Sequence, residues 1–156
     1  MSHNVLLTGA SGFVGKNLIA YLAIKEDCAM KAVSRKALNK VRKSELGNID
    51  SIIHLAGKAH DLKNVSQPEE YYQVNFELTK KLYDAFLKSE AKKFIFISTV
   101  KAVADHLDEP LTEDHHPNPQ THYGKSKLMA EEYIRSQVLP EGKSYYILRP
   151  CMISLR

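Results

Sequence analysis

The chain has 156 residues, 44% hydrophobic and 26% charged, with a net charge of +4, which suits one domain around one core and leaves no room for a second. No apolar run reaches about 18 residues and no charged-then-apolar leader opens the chain, so neither a membrane span nor a secretory signal is expected and a cytoplasmic protein is. Basic residues mix with acidic ones rather than forming a block with aromatics, which argues against nucleic acid, and neither Cys28 and Cys151 nor His115-His116 has metal-ligand spacing, so no metal site is expected.

The apolar run over residues 4–8 reads as a strand and the pattern over 13–25 as a helix, with Thr8-Gly9-Ala10-Ser11-Gly12-Phe13-Val14-Gly15 between them. Three glycines at three-residue spacing at a strand-to-helix junction suit a pyrophosphate. Gly9 takes the tight turn, Gly12 lets phosphate oxygens reach the backbone, and Gly15 lets the helix pack on the strand. Ser11, Phe13 and Val14 belong to the same cradle, where the helix N-terminus offers unpaired amides. A second strand is expected over 30–34, ending at Ser34 and Arg35. The basic residues from Lys31 to Lys43 read either as a solvated face or as a site for an anionic ligand. A helix over 38–46, a strand over 51–55, a helix over 69–89, a strand over 93–98, a helix over 121–137 and a strand over 144–149 complete the chain.

This alternation predicts an α/β, Rossmann-type, doubly wound and mostly parallel sheet with helices on both faces. The stretch between Arg35 and Asp50 is too short for a further helix, strand and helix, so the sheet is expected to be abbreviated at one edge. Right-handed crossovers bring Gly9, Ser34, Ala56 and Ser98 to one edge, the edge at which such sheets bind ligands.

The helical pattern at 121–137 places Tyr123 and Lys127 four residues apart on one face. A phenol next to a fixed ammonium can exchange a proton with a substrate hydroxyl near neutral pH. The spacing by itself also fits an ordinary helix, but Ser98-Thr99 at a strand end adds a hydroxyl at the same edge of the sheet.

Together these elements resemble the extended short-chain dehydrogenase/reductase family, which includes nucleotide-sugar epimerases, dehydratases and 4-ketoreductases. The resemblance extends to Ile53-His54-Leu55-Ala56-Gly57, to Val74-Asn75 and to Leu148-Arg149-Pro150. It implies that Thr99, or Ser98 if the register slips by one, binds the substrate oxygen, that Tyr123 is the catalytic acid/base, and that Lys127 holds its phenolate and the nicotinamide ribose. It also implies that Leu55, Ala56, Gly57, Asn75, Ser98 and Pro150 join the cofactor site. Where NAD-selective members carry an acidic residue, this chain has Ser34 and Arg35, and a guanidinium there grips a 2′-phosphate, so NADP(H) is expected in preference to NAD(H). The alternative is a solvated turn with NAD bound through other contacts.

Val100-Lys101 replaces the Asp-Glu of the related dehydratases, and the surrounding segments look most like bacterial surface-polysaccharide enzymes acting at C4 of a UDP-N-acetylhexosamine. The resemblance thus implies a nucleotide-sugar epimerase or 4-ketoreductase, with a nucleotide sugar as partner. It also implies a homodimer through the helices over 69–89 and 121–137, unless their apolar stripes simply cover the sheet. Family members place the substrate-binding lobe after the Arg-Pro motif, and this sequence runs six residues past it. Residues 1–156 are therefore expected to be a dinucleotide-binding domain without that lobe, the alternative function being a truncated, non-catalytic dinucleotide-binding module.

Overall fold

The structure is a computed structural model and describes residues 2–25, 27–40, 46–59, 67–106 and 110–151. Five strands, β1 (His3–Thr8), β2 (Cys28–Val33), β3 (Ser51–His54), β4 (Lys93–Ile97) and β5 (Ser144–Leu148), form one parallel sheet in the order β2-β1-β3-β4-β5. The crossover direction reverses between β1 and β3, so the C-terminal ends of these two strands flank the crevice where doubly wound sheets take ligands.

The helices are α1 (Phe13–Ala23), α2 (Arg35–Leu38), α3 (Pro68–Tyr71), α4 (Leu78–Leu87) and α5 (His122–Ser136). Right-handed crossovers put α1 on one face of the sheet and the others on the opposite face, where α4 packs against both α2 and α5. The expected helix over 69–89 is real but not uniform: α3 runs into a π-helical turn, Tyr72–Glu77, before α4 resumes the ordinary pitch. Elsewhere most boundaries move by one or two residues, α1 for instance ending at Ala23. Strand β2 starts at Cys28, two residues early. The helix expected over 38–46 is instead a short turn at Arg35–Leu38, begun by the Ser34 hydroxyl accepting from the Ala37 amide at 3.3 Å. Residues 41–45 lie outside the described residues.

The two faces of the sheet are covered unequally. On one, Leu6, Ile52 and Phe94 stand in register, as do His54 and Phe96 one step on, and all are buried against Leu82, Tyr83, Phe86, Ala130 and Ile134. Fixing Phe94, Phe96 and their neighbours in this layer supplies most of the apolar burial that favours folding. On the other face Leu7 is fully buried, its register partners Ile53 and Ile95 only partly so, and Tyr146 and Leu148 on β5 are 49% and 50% exposed.

Candidate active site

Beyond β1 the backbone turns at Gly9, where φ is +73°, a conformation that favours glycine. The turn is closed by the Gly12 amide donating to the Gly9 carbonyl at 3.0 Å. A Cβ on Gly9 would lie 2.6 Å from the Ala56 nitrogen, and one on Gly15 would run into the Gly9 carbonyl and lie 2.8 Å from the Ala10 Cα. So β1, the end of β3 and α1 meet at backbone contact distance.

Gly12, the N-cap of α1, gives no side-chain cap, and the first turn holds no acidic residue, so its amides and the positive end of the helix dipole are available to an anion. A cavity of about 450 Å³ opens there, lined by Gly9, Ala10, Ser11, Gly12, Leu55, Ala56, Gly57, Ser34 and Arg35. Phe13 stands exposed at its head. Val14 and Pro150 instead line a larger trough of about 800 Å³, with Ile97, Val100, Leu148 and Arg149. The glycine turn, Ser34, Arg35 and Leu55 to Gly57 thus share one hollow and Val14 and Pro150 another, while Asn75, Ser98, Thr99, Tyr123 and Lys127 line neither.

A buried chain of polar groups ties this edge together. The Ala56 amide donates to the Thr8 hydroxyl at 3.1 Å, leaving that hydroxyl to donate to His54 Nδ1 at 2.6 Å. On the other side Thr79 donates to the Asn75 carbonyl at 2.7 Å, so it accepts from His54 Nε2 at 2.8 Å. These partners select the Nε2–H tautomer. Burial, helped by the positive charge of Lys127, holds the His54 pKa down at about 3, so the ring is a neutral structural relay.

Asn75 sits in the π-helical turn and is fully buried. Its side chain accepts from the Lys58 amide at 2.7 Å and donates to the Lys58 carbonyl and the Ser126 hydroxyl, both at 3.0 Å. Every polar atom of the amide is therefore used to fasten the loop after β3 to α5. Ser126 and Lys58 were not legible as site residues, since nothing in their spacing marks them.

Helix α5 begins at an N-cap, Thr121, whose hydroxyl accepts from the Gly124 amide at 3.1 Å and donates to Asp105 at 2.9 Å. A Cβ on Gly124 would strike the Lys101 carbonyl, so the first turn of α5 lies directly on the 3₁₀ turn Val100–Ala102 that follows Thr99. This contact brings Tyr123 to Thr99. Burial pushes the Tyr123 phenol pKa up, and a hydrogen bond with the Thr99 side chain opposes the rise. The ammonium of Lys127 is engaged elsewhere: Nζ donates to the Ile97 carbonyl at 2.6 Å and lies 4.1 Å from the centre of the Phe96 ring. The sequence led us to expect an ammonium lowering the phenol pKa; in the structure desolvation outweighs any such effect. Lys127 is only 4% exposed, and burial lowers its pKa to about 7 against an upward pull from Glu131.

The same helix gives Ser98 and Thr99 different partners. Thr99 faces Tyr123, whereas the Ser98 hydroxyl donates to the Glu131 carboxylate. Glu131 is fully buried and also receives Arg149, whose Nε lies 3.0 Å from each carboxylate oxygen and whose Nη2 lies 2.5 Å from one. A charged residue on a helix normally reads as solvent-facing, so Glu131 carried no signal in the sequence. Among the described residues no cluster of three His, Cys, Asp or Glu could hold a metal ion, and no helix is long and apolar enough to cross a membrane.

Residues 5–154 match the family described as NAD dependent epimerase/dehydratase. Over 98% of its length the chain is 34% identical to the N-acetyl-alpha-D-glucosaminyl-diphospho-ditrans,octacis-undecaprenol 4-epimerase of Escherichia coli O157:H7, of which it covers 50%. It is similar in fold to a UDP-N-acetylglucosamine 4-epimerase from Methanobrevibacter ruminantium M1, solved with UDP-N-acetylmuramic acid. There the TM-score is 0.82 at 25% identity, over 96% of this chain and 55% of that one. A dTDP-4-dehydrorhamnose reductase from Bacillus anthracis, solved with NADP, gives a TM-score of 0.80 at 25% identity, over 97% of this chain and 54% of that one. The chain spans about half the length of these relatives.

Proposed function

Because the chain belongs to the NAD-dependent epimerase/dehydratase family, we propose that it is the dinucleotide-binding part of an epimerase or 4-ketoreductase acting at C4 of a nucleotide-linked hexose in surface-polysaccharide synthesis. The observation that carries this reading is the meeting of Thr99 and Tyr123 at the end of β4, on the same sheet edge as the glycine turn. The relatives named above act on C4, and two of them carry nucleotide sugars in their names.

The cleft fits a dinucleotide: a turn held at Gly9 where the backbone tolerates no added bulk, a bare Gly12 at a helix N-terminus for the pyrophosphate, and Ser34 and Arg35 at the far wall for an adenosine. When bound, the nicotinamide supplies or accepts the hydride. This chain's residues supply the rest. Thr99 donates or accepts at the sugar oxygen, Tyr123 moves the hydroxyl proton, and Lys127 keeps a positive charge beneath them when protonated. A second copy would dock on the outer faces of the helices over 68–87 and 122–136.

NADP(H) is favoured in this reading because Arg35, exposed at the cleft wall, suits a 2′-phosphate, and the Ser34 hydroxyl, which only accepts in capping α2, keeps its proton to donate. Arg35→Asp is expected to lower the NADPH-to-NADH affinity ratio by about 10- to 100-fold, the value of one charge-assisted pair and the repulsion that replaces it. An unchanged ratio separates Arg35 from the cofactor.

The proposal as a whole is tested by titrating the purified chain with NADPH and NADH, read by cofactor fluorescence and thermal shift. Saturable binding with NADPH tighter supports it, and absence of binding to either removes it.

A further inference from the structure

One fully buried charge has no part in the chemistry above. Glu131 lies two turns beyond Tyr123 on α5, at 0% exposure, and its carboxylate collects ligands from three directions: Ser98 at the end of β4, Arg149 just past β5, and Arg135 one turn along its own helix at 3.3 Å. Tyr123, Lys127 and Glu131 fall at four-residue spacing along one side of α5. Opposite them, three consecutive residues at the end of β4 present the groups they engage. Tyr123 meets the Thr99 side chain, Lys127 the Ile97 carbonyl, and Glu131 the Ser98 hydroxyl.

We propose that Glu131 is a positioning residue, its carboxylate pinning α5 to the ends of β4 and β5 so that the phenol of Tyr123 stays on Thr99 and the ammonium of Lys127 stays under the sheet edge. This rests on the reading of Tyr123 and Lys127 given above. The contact to Arg149 is a fork with both carboxylate oxygens engaged, which fixes orientation as well as distance. An α-helix advances 1.5 Å per residue, so a slip of α5 by a single residue would carry Tyr123 past Thr99, and misplacement of about 1 Å is enough to lose a catalytic geometry. The same carboxylate is the anionic neighbour of Lys127. Neutral His54 on β3 is the other titratable group that feels that ammonium, while Phe96, Ile97, Gly57 and Asn75 beside it contribute no charge.

The test uses the ligand-free chain labelled with ¹³C-lysine and ¹³C-tyrosine, with the Lys127 Cε and the Tyr123 ring followed by NMR through a pH titration. In the parent, Lys127 is expected to titrate at about 7. Glu131→Gln keeps the shape and removes the charge, and is expected to lower that midpoint by about one pH unit and to shift the Tyr123 ring signals. Arg135→Gln, which loses only the surface partner, is expected to leave the Tyr123 signals in place.

A folded Glu131→Gln chain with both Lys127 and Tyr123 signals unchanged overturns the proposal. Should that variant fail to fold, Arg149→Lys loosens the same pin from the strand side, and unchanged Tyr123 signals there overturn it equally. Because no cofactor is present, the result does not depend on dinucleotide binding: a parent that binds neither NADPH nor NADH defeats the functional reading while the coupling between Glu131 and Lys127 still registers.

Discussion

A Tyr123→Phe chain is expected to bind dinucleotide within about threefold of the parent while turnover of a nucleotide-linked 4-ketohexose falls by about 10²- to 10⁴-fold, the usual worth of a positioned general acid/base. The substitution removes one oxygen and leaves the ring. That oxygen hydrogen bonds with Thr99, whose neighbour Ser98 is already committed to Glu131, so no second hydroxyl on β4 can take over the proton. His122 is no substitute, because its ring shares a hydrogen bond with Tyr72 at 3.0 Å away from the strand end. Stability should change little, since a single partly buried hydroxyl with one partner is worth about 1 kcal/mol. Steady-state rates with a 4-keto sugar nucleotide, set beside a fluorescence titration of NADPH, check both halves of this expectation. Equal rates for the two chains remove Tyr123 from the chemistry.

Gly9→Ala is expected to destabilise the fold by about 2 to 5 kcal/mol and to abolish dinucleotide binding. Two costs combine. A side chain at a φ of +73° costs about 1 to 2 kcal/mol in backbone strain. The added carbon also lands 2.6 Å from the Ala56 nitrogen and 2.7 Å from the Leu55 carbonyl carbon, all of them backbone atoms that cannot rotate out of the way. Forcing β3's end outward is an overpacking cost of about 1 to 3 kcal/mol. It also disturbs the Ala56 amide that donates to Thr8, and through it the His54 relay. Against a total of about 5 to 15 kcal/mol for a domain of this kind, the loss is large. Urea denaturation of the two chains measures it, and a midpoint unchanged by the substitution would mean that the end of β3 yields freely.

The sequence showed most clearly the features that repeat or punctuate. Apolar runs of strand length recur between helical stretches, and the glycine spacing marks the β1–α1 turn, so the parallel sheet and its short outer edge were readable. Strand β2 was placed two residues late because its residues are largely exposed on the sheet edge and offer no continuous apolar run. The π-helical turn at Tyr72–Glu77 was invisible, as an extra residue within one turn leaves the surrounding period intact. Thr99 and Ser98 could not be told apart because adjacent residues on a strand point oppositely, and only the partner across the helix decides which one faces the phenol. Lys127 was recognised by its spacing from Tyr123, yet its lodging against Ile97 and Phe96 depends on the packing of α5 on β4, a contact between residues 30 apart in sequence. Glu131 and its pairing with Arg149 were hidden for a related reason: each is a charge whose burial makes sense only beside the other.

The close fit around the glycine turn also bears on how such a motif drifts in descent. Gly9 is held by the backbone of Leu55 and Ala56, and Gly15 by the carbonyl of Gly9, so both answer to the chain's own packing. Gly12 is different: a Cβ there would meet only the Gly9 carbonyl, at 3.3 Å. A lineage that abandoned its ligand would therefore be obliged to keep the first and third glycines while the second, and Ser11 beside it, came under weaker constraint. Retention of the outer pair records ancestry and folding; retention of the middle one is the mark of continued use.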